Sequence, residues 1–206
     1  MNSTGRLQNI HYGIRTVLTL FTLILIPVYW KYYGPQNFLW FSDIGLFLTV
    51  VALWLESHLL MSTVIIAVLP VEIAWNIDFF VQLLTTHNIL GIANYMFEPQ
   101  YSFFLKSLSL FHVIMPLIWF FYLWRWGYNK RALKYAIALA WSVLILTYLF
   151  TEPGKNINWV FTPQVHHWQW ISPLAWVMLL MIGFTLLLFG PLHIWILQSQ
   201  RISIIT

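Results

Sequence analysis

Cysteine is absent from all 206 residues, which excludes disulfides, thiolate nucleophiles and thiolate metal sites together. Charge is scarce as well. Asp, Glu, Lys and Arg make up 8% of the chain, against about 25% in a soluble domain, so no large solvated surface can be built from it. The histidines lack metal-type spacing such as His-x-x-x-His or His-Glu-x-x-His, and no Gly-x-Ser-x-Gly elbow marks a serine nucleophile. No span carries a mid-helix lysine able to form a Schiff base, since Lys106 falls too near an end, which argues against retinal. No metal and no cofactor is therefore expected, and nothing suggests nucleic-acid binding.

What the chain has instead is apolar length. Hydrophobic residues make up 60% of it, in runs that reach the ~20 residues needed to cross the hydrocarbon core of a bilayer. A soluble core of this size could not bury so much apolar surface, and the runs are too continuous for an outer-membrane barrel. The expected fold is all-α: a polytopic membrane bundle of about six transmembrane helices forming one domain over residues 1–206. The spans are expected near Arg15–Tyr32, Phe38–Leu55, Leu59–Leu84, Tyr101–Trp124, Leu133–Thr151 and Trp170–Leu197. The first follows a basic N-terminal stretch like that of a signal peptide. Lys31, Tyr32 and Tyr33 are too bulky for a cleavage site, so the span is expected to remain. Kinks are expected at Pro70 in the third span and at Pro173 and Pro191 in the sixth. Residues 85–100 should lie on the surface or re-enter without crossing.

An even number of spans puts both termini on one side. That side then holds Arg6, Arg15, Arg125, Lys130, Arg131, Lys134 and Arg201, against Lys31, Lys106 and Lys155 on the other. Seven against three places both termini in the cytoplasm of a cell membrane, bacterial inner membrane being the expected type.

This topology gathers the polar residues that interrupt the apolar runs. Asp43, Glu72, Asn76, Asp78 and His112 all fall in the extracytoplasmic half or near the midplane, and Asn158, His166 and His167 lie in a loop on the same side. Ionisable groups in hydrocarbon are costly and persist where they face a protein interior or a wet cavity, so they mark a candidate site. Glu72 and Asn76 share a helix face, whereas Asp78 points elsewhere and is expected to pair with Lys106. His112 precedes Pro116, whose missing N–H frees the carbonyl of His112 itself. Three roles are open to this histidine: a hydrogen bond within the bundle, acid/base or relay chemistry, or metal binding with His166 and His167. Glu56, Ser57 and His58 read as an ordinary solvated turn.

The runs NFLWFSDIGLF, LPVEIAWNIDF, SLSLFHVIMP, WGYNKRALKY and NINWVF resemble a family of uncharacterised bacterial multi-pass integral membrane proteins, over Gly34 to about Leu197. More distantly, the order of polar spans is similar to a six-to-seven-span family of membrane acyltransferases acting on glycerophospholipids. That likeness implies His112 in the place of the family's histidine and Asp43 near the place of its cysteine. A carboxylate cannot form a thioester, so an identical mechanism does not carry over.

Together these features lead to a lipid-modifying enzyme performing acyl transfer or hydrolysis, with His112, Asp43 and Glu72 catalytic and Asn76, Asp78, Asn158, His166 and His167 binding substrate. Asn76, Asn158 or a backbone amide would stabilise the oxyanion. The alternatives are a proton-coupled transporter of small solutes, with Asp43, Glu72 and His112 as the relay, and an assembly subunit. Membrane lipids are the expected partners, with homo- or hetero-oligomers open.

Overall fold

A computed structural model describes residues 3–205; Met1, Asn2 and Thr206 lie outside the described residues, as do the side chains of Arg6 and Arg201 that entered the charge asymmetry. The described chain is helical throughout, without strands. Its principal helices are α1 (Ser3–Tyr33), α2 (Phe41–Trp54), α3 (His58–Thr85), α4 (Phe103–Ser109), α5 (Phe111–Trp126) and α6 (Ala132–Phe150). A short α7 (Thr162–Val165) follows, then α8 (Pro173–Gly183), a π-helical stretch (Phe184–Phe189) and α9 (Gly190–Ile205) run on as one rod.

Five segments are long and apolar enough to cross a membrane: Leu7–Tyr33, His58–Thr85, Phe103–Trp126, Ala132–Phe150 and Pro173–Ser199. The protein is a multi-pass helical membrane protein. Large apolar side chains such as Phe103, Leu84, Leu187 and Trp124 stand outward on the bundle, where acyl chains would meet them. α3 is the central helix. In its most apolar stretch 56% of residues are buried, against 17% in the last crossing, and it packs on α2, α5 and α6. A helix surrounded by others is hydrophobic on every face, and Met61 to Leu69 is buried without interruption.

α2 departs from the expected span. It has 14 residues, about 21 Å of helix against a hydrocarbon core of about 30 Å. The missing length is filled by a 3-10 turn over Pro35–Leu39, entered through Gly34 at φ 80°. The outer end of α2 is thus recessed, and irregular backbone at that depth is tolerated where it lines a cavity.

α3 is one continuous helix through Pro70, and Pro173 begins α8, where its missing N–H would have had no helical partner. Pro191 follows the π-helical stretch, where the amide of Gly190 donates to the carbonyl of Thr185. The fourth crossing carries a break that was not expected, at Leu110 between α4 and α5, two residues before His112.

At the α2–α3 turn, Glu56, Ser57 and His58 do more than connect two helices. The Ser57 hydroxyl caps α3 by accepting from Leu60 N, and the His58 ring stacks on Trp126 at 4.9 Å.

Candidate functional site

Three residues of α3 hold His112. The Glu72 carboxylate meets its ring through Oε2, 2.7 Å from Nδ1. The indole of Trp75, one turn along the same face, stacks on the imidazole at 4.3 Å, and Phe111 covers the ring at 4.2 Å. Asn76 holds the backbone: its Nδ2 donates to the carbonyl of His112 at 2.8 Å, the acceptor left free by Pro116, and to the carbonyl of Glu72 at 2.8 Å. The helix defect created by one residue is thereby repaired by another, and the repair fixes the position of the histidine. A carboxylate on Nδ1 favours the tautomer with its proton there and leaves Nε2 as acceptor. Nε2 makes no hydrogen bond among the described residues.

Asp43 approaches from α2. It lies in the first turn, where the helix N-terminus favours negative charge, and its Oδ2 accepts from Asn37 Nδ2 at 3.1 Å. Its other oxygen, Oδ1, is buried without a partner, as are Glu72 Oε1 and Trp75 Nε1. Buried polar atoms are seldom left unpaired, and three converging here point to a space made for something polar.

That space is a cavity of about 410 Å³ bounded by Asp43, Glu72 and His112. Its walls are largely aromatic, with Tyr29, Tyr33, Trp40, Trp75, Tyr101 and Trp159 among them, and Leu90, Gly91, Ile92 and Tyr95 close it from the loop after α3. Tyr29 and Ser109 share a hydrogen bond of 2.8 Å on its wall. Burial raises the pKa of the Tyr95 phenol, so it stays a proton donor at neutral pH.

The floor is closed. Leu46, Leu69 and Met115, one turn inward from the acids and His112, and Trp119, a turn further, are fully buried. Trp119 Nε1 donates to Thr49 Oγ1 at 2.8 Å, and Thr49 donates in turn to the Gly45 carbonyl at 2.6 Å, tying α5 to α2. A smaller space at the opposite end, bounded by His11, Glu56 and Arg125, lies beyond this layer.

The five expected binding residues are placed differently from one another. Asp78 is not paired with Lys106; its Oδ1 accepts from the amides of Ile89, Leu90 and Gly91 at 2.9, 2.7 and 3.2 Å, and its Oδ2 from Ala93 at 2.9 Å. Four N–H donors satisfy a buried carboxylate without any cation. Asn158 adopts φ 50° and spends its whole amide on structure: Nδ2 donates to Leu39 O at 2.7 Å and Thr147 Oγ1 at 3.2 Å, while Oδ1 accepts from Phe41 N at 3.1 Å. It latches the loop after α6 to the start of α2. His166 and His167 are exposed and do not join His112; His166 stacks on Trp168. Asn76 lies beside the site, but both its N–H groups are committed to carbonyls. Among the described residues no three His, Asp or Glu side chains are placed to hold a metal ion.

Against known proteins, the chain matches no family model, no curated protein and no solved structure.

Several cavity residues were not singled out from sequence. Trp75 was detectable, because it lies three residues after Glu72 and so on the same helix face. Asn37, Tyr95 and Ser109 carried no such signal, since they reach the cavity only through loop paths and helix breaks.

Proposed function

We propose that the cavity is the active site of a lipid-modifying enzyme that hydrolyses or transfers an acyl ester, with His112 as general base. The observation that carries this is the 2.7 Å contact between His112 Nδ1 and Glu72, on the wall of a cavity, with Nε2 unpaired. In hydrolytic and acyl-transfer chemistry a carboxylate holds the imidazole in one tautomer while the other nitrogen takes a proton. Here Nε2 would take it from water or a lipid hydroxyl as the oxygen attacks the ester carbonyl. On collapse of the tetrahedral intermediate, His112 would return the proton to the departing alkoxide. Because Asn76 and Asn158 are committed elsewhere, the oxyanion would be met by the Tyr95 hydroxyl and the Trp75 indole N–H. Asp43 makes no thioester; in this mechanism its unpaired Oδ1 offers the pocket a polar contact.

A lipid substrate is supported by the setting: largely aromatic walls around a polar group of Asp43, Glu72 and His112, at one end of a membrane bundle, with Leu90 at the rim 57% exposed. The cavity end would face away from the cytoplasm, following the seven-against-three distribution of positive charge. The closed layer of Leu46, Leu69, Met115 and Trp119 favours an enzyme over a transporter, which needs access from both sides.

The test is turnover of ester lipids by the purified protein in nanodiscs, followed by mass spectrometry of the released products. His112→Gln keeps volume and hydrogen bonding but removes the base, and should lower turnover by about 10²–10⁴-fold with the fold intact. Equal turnover in both proteins would remove His112 as base. No lipid turnover, together with a proton-coupled flux in liposomes that His112→Gln abolishes, would replace the enzyme with a transporter.

A further inference from the structure

Asp43 and Glu72 present one unpaired carboxylate oxygen each to the same cavity, and both residues are at least 98% buried. Neither lysine nor arginine lines that cavity. Lys155, the nearest base at the rim, donates its ammonium to the Tyr33 carbonyl. Glu72 already meets the His112 imidazole, whereas Asp43 has no basic side chain beside it among the described residues, and its buried carboxylate leaves an electrostatic demand that a bound ligand can meet. The walls make the same demand independently. Aromatic faces attract cations through their quadrupole, and rings grouped around one space are the usual receptor for a substituted ammonium group. Trp40 and Trp159 meet edge to face at 6.0 Å, and Tyr29 and Tyr33 at 5.2 Å, so two aromatic pairs stand around the acids.

We propose that this cavity recognises a substituted ammonium group, with Asp43 as principal counter-ion and Trp40 and Tyr33 among the enclosing rings. The substrate class becomes an amphiphile with a cationic nitrogen in its headgroup. This deepens the enzyme proposal and rests on the cavity being the substrate site, though not on the reaction performed there. Anionic headgroups without an ammonium would face the Asp43 and Glu72 carboxylates in a cavity lined by no lysine or arginine, and should be rejected.

The experiment is competitive lipid retention by the full chain, read by native mass spectrometry from detergent containing equal phosphatidylcholine, phosphatidylethanolamine and phosphatidylglycerol. A second arm adds choline in water, which separates recognition of a free ammonium compound from recognition of a lipid headgroup. Expected is at least tenfold preference for one ammonium lipid over phosphatidylglycerol, or saturable choline binding. Either should fall at least tenfold in Asp43→Asn, and also in Trp40→Leu, a half-buried position whose change spares the acids. Melting curves for both variants, matching wild type, establish that binding and not folding was lost.

Equal retention of phosphatidylglycerol with no choline binding overturns the proposal, as does ammonium binding that survives both substitutions. If a variant fails to fold, the other decides. Ammonium binding without ester turnover would leave this site standing and remove the enzyme. Turnover that ignores the headgroup nitrogen would do the reverse.

Discussion

Replacing Asp78 by Asn should release the loop that roofs the cavity while leaving the bundle intact. The carboxylate accepts three amides on Oδ1 and one on Oδ2, and none of these donors has another acceptor in a regular helix. Hydrogen bonds to a charged acceptor contribute about 1.5–3 kcal/mol each and neutral ones about 1, so discharging the three on Oδ1 loses roughly 3 kcal/mol in total. An amide also sets its NH₂ against the fourth donor, Ala93 N, adding about 1–3 kcal/mol for a buried N–H without a partner. Allowing for relaxation, the loop should lose about 3–5 kcal/mol of local stability. At 1.4 kcal/mol per factor of ten, that corresponds to amide exchange faster by about 10²–10⁴-fold at Ile89, Leu90, Gly91 and Ala93. Hydrogen exchange read by mass spectrometry checks this in detergent or nanodiscs. Amides within Met61–Leu69 serve as the unaffected reference, and Lys106→Ala should change neither region. Unaltered protection of the loop in Asp78→Asn, or equal deprotection by Lys106→Ala, would refute the four-amide account.

Other substitutions test the remaining contacts. Asn76→Leu strips the partner from the carbonyl that Pro116 exposes and should cost about 1–3 kcal/mol; a thermal melt unchanged from wild type would show that the carbonyl finds another donor. Gly45→Ala would place a Cβ 2.9 Å from Val68 Cγ1, destabilising by about 1–3 kcal/mol, and Val68→Ala should relieve part of that loss; strictly additive effects would mean the two helices do not meet there. The cysteine-free chain permits single-cysteine mapping: Lys155→Cys should react with a membrane-impermeant maleimide on intact cells and Lys130→Cys should not, and the opposite pattern would reverse the orientation.

The all-helical class and the multi-pass character were legible in the sequence, because hydrocarbon permits little besides helices and the required length of about 20 residues is written into composition. The link between His112 and Pro116 was legible too, since a proline frees a carbonyl at a fixed offset of four. The mate of that carbonyl was not. Asn76 belongs to another helix, and only the packing of α3 against α5 brings its amide to the gap.

The same limit applies to Asp78 and Asn158, whose hydrogen-bond partners could not be read from the sequence. A buried acid and a buried amide look alike in sequence whether they serve a ligand or the backbone, because the donors that satisfy them come from loops whose path has no periodic signature. Gly34 and Gly91, at φ 80° and 75°, and Asn158, at φ 50°, lie on those loops. The short α2 is of this kind as well: its residues are apolar enough for a full span, but Asn158 accepts from Phe41 N and Asn37 reaches Asp43, so the helix begins below the surface. Composition therefore determined which residues cannot face lipid. Which of them share a cavity, and which are consumed in holding it open, was decided by long-range hydrogen bonds between segments that meet only once the bundle has closed.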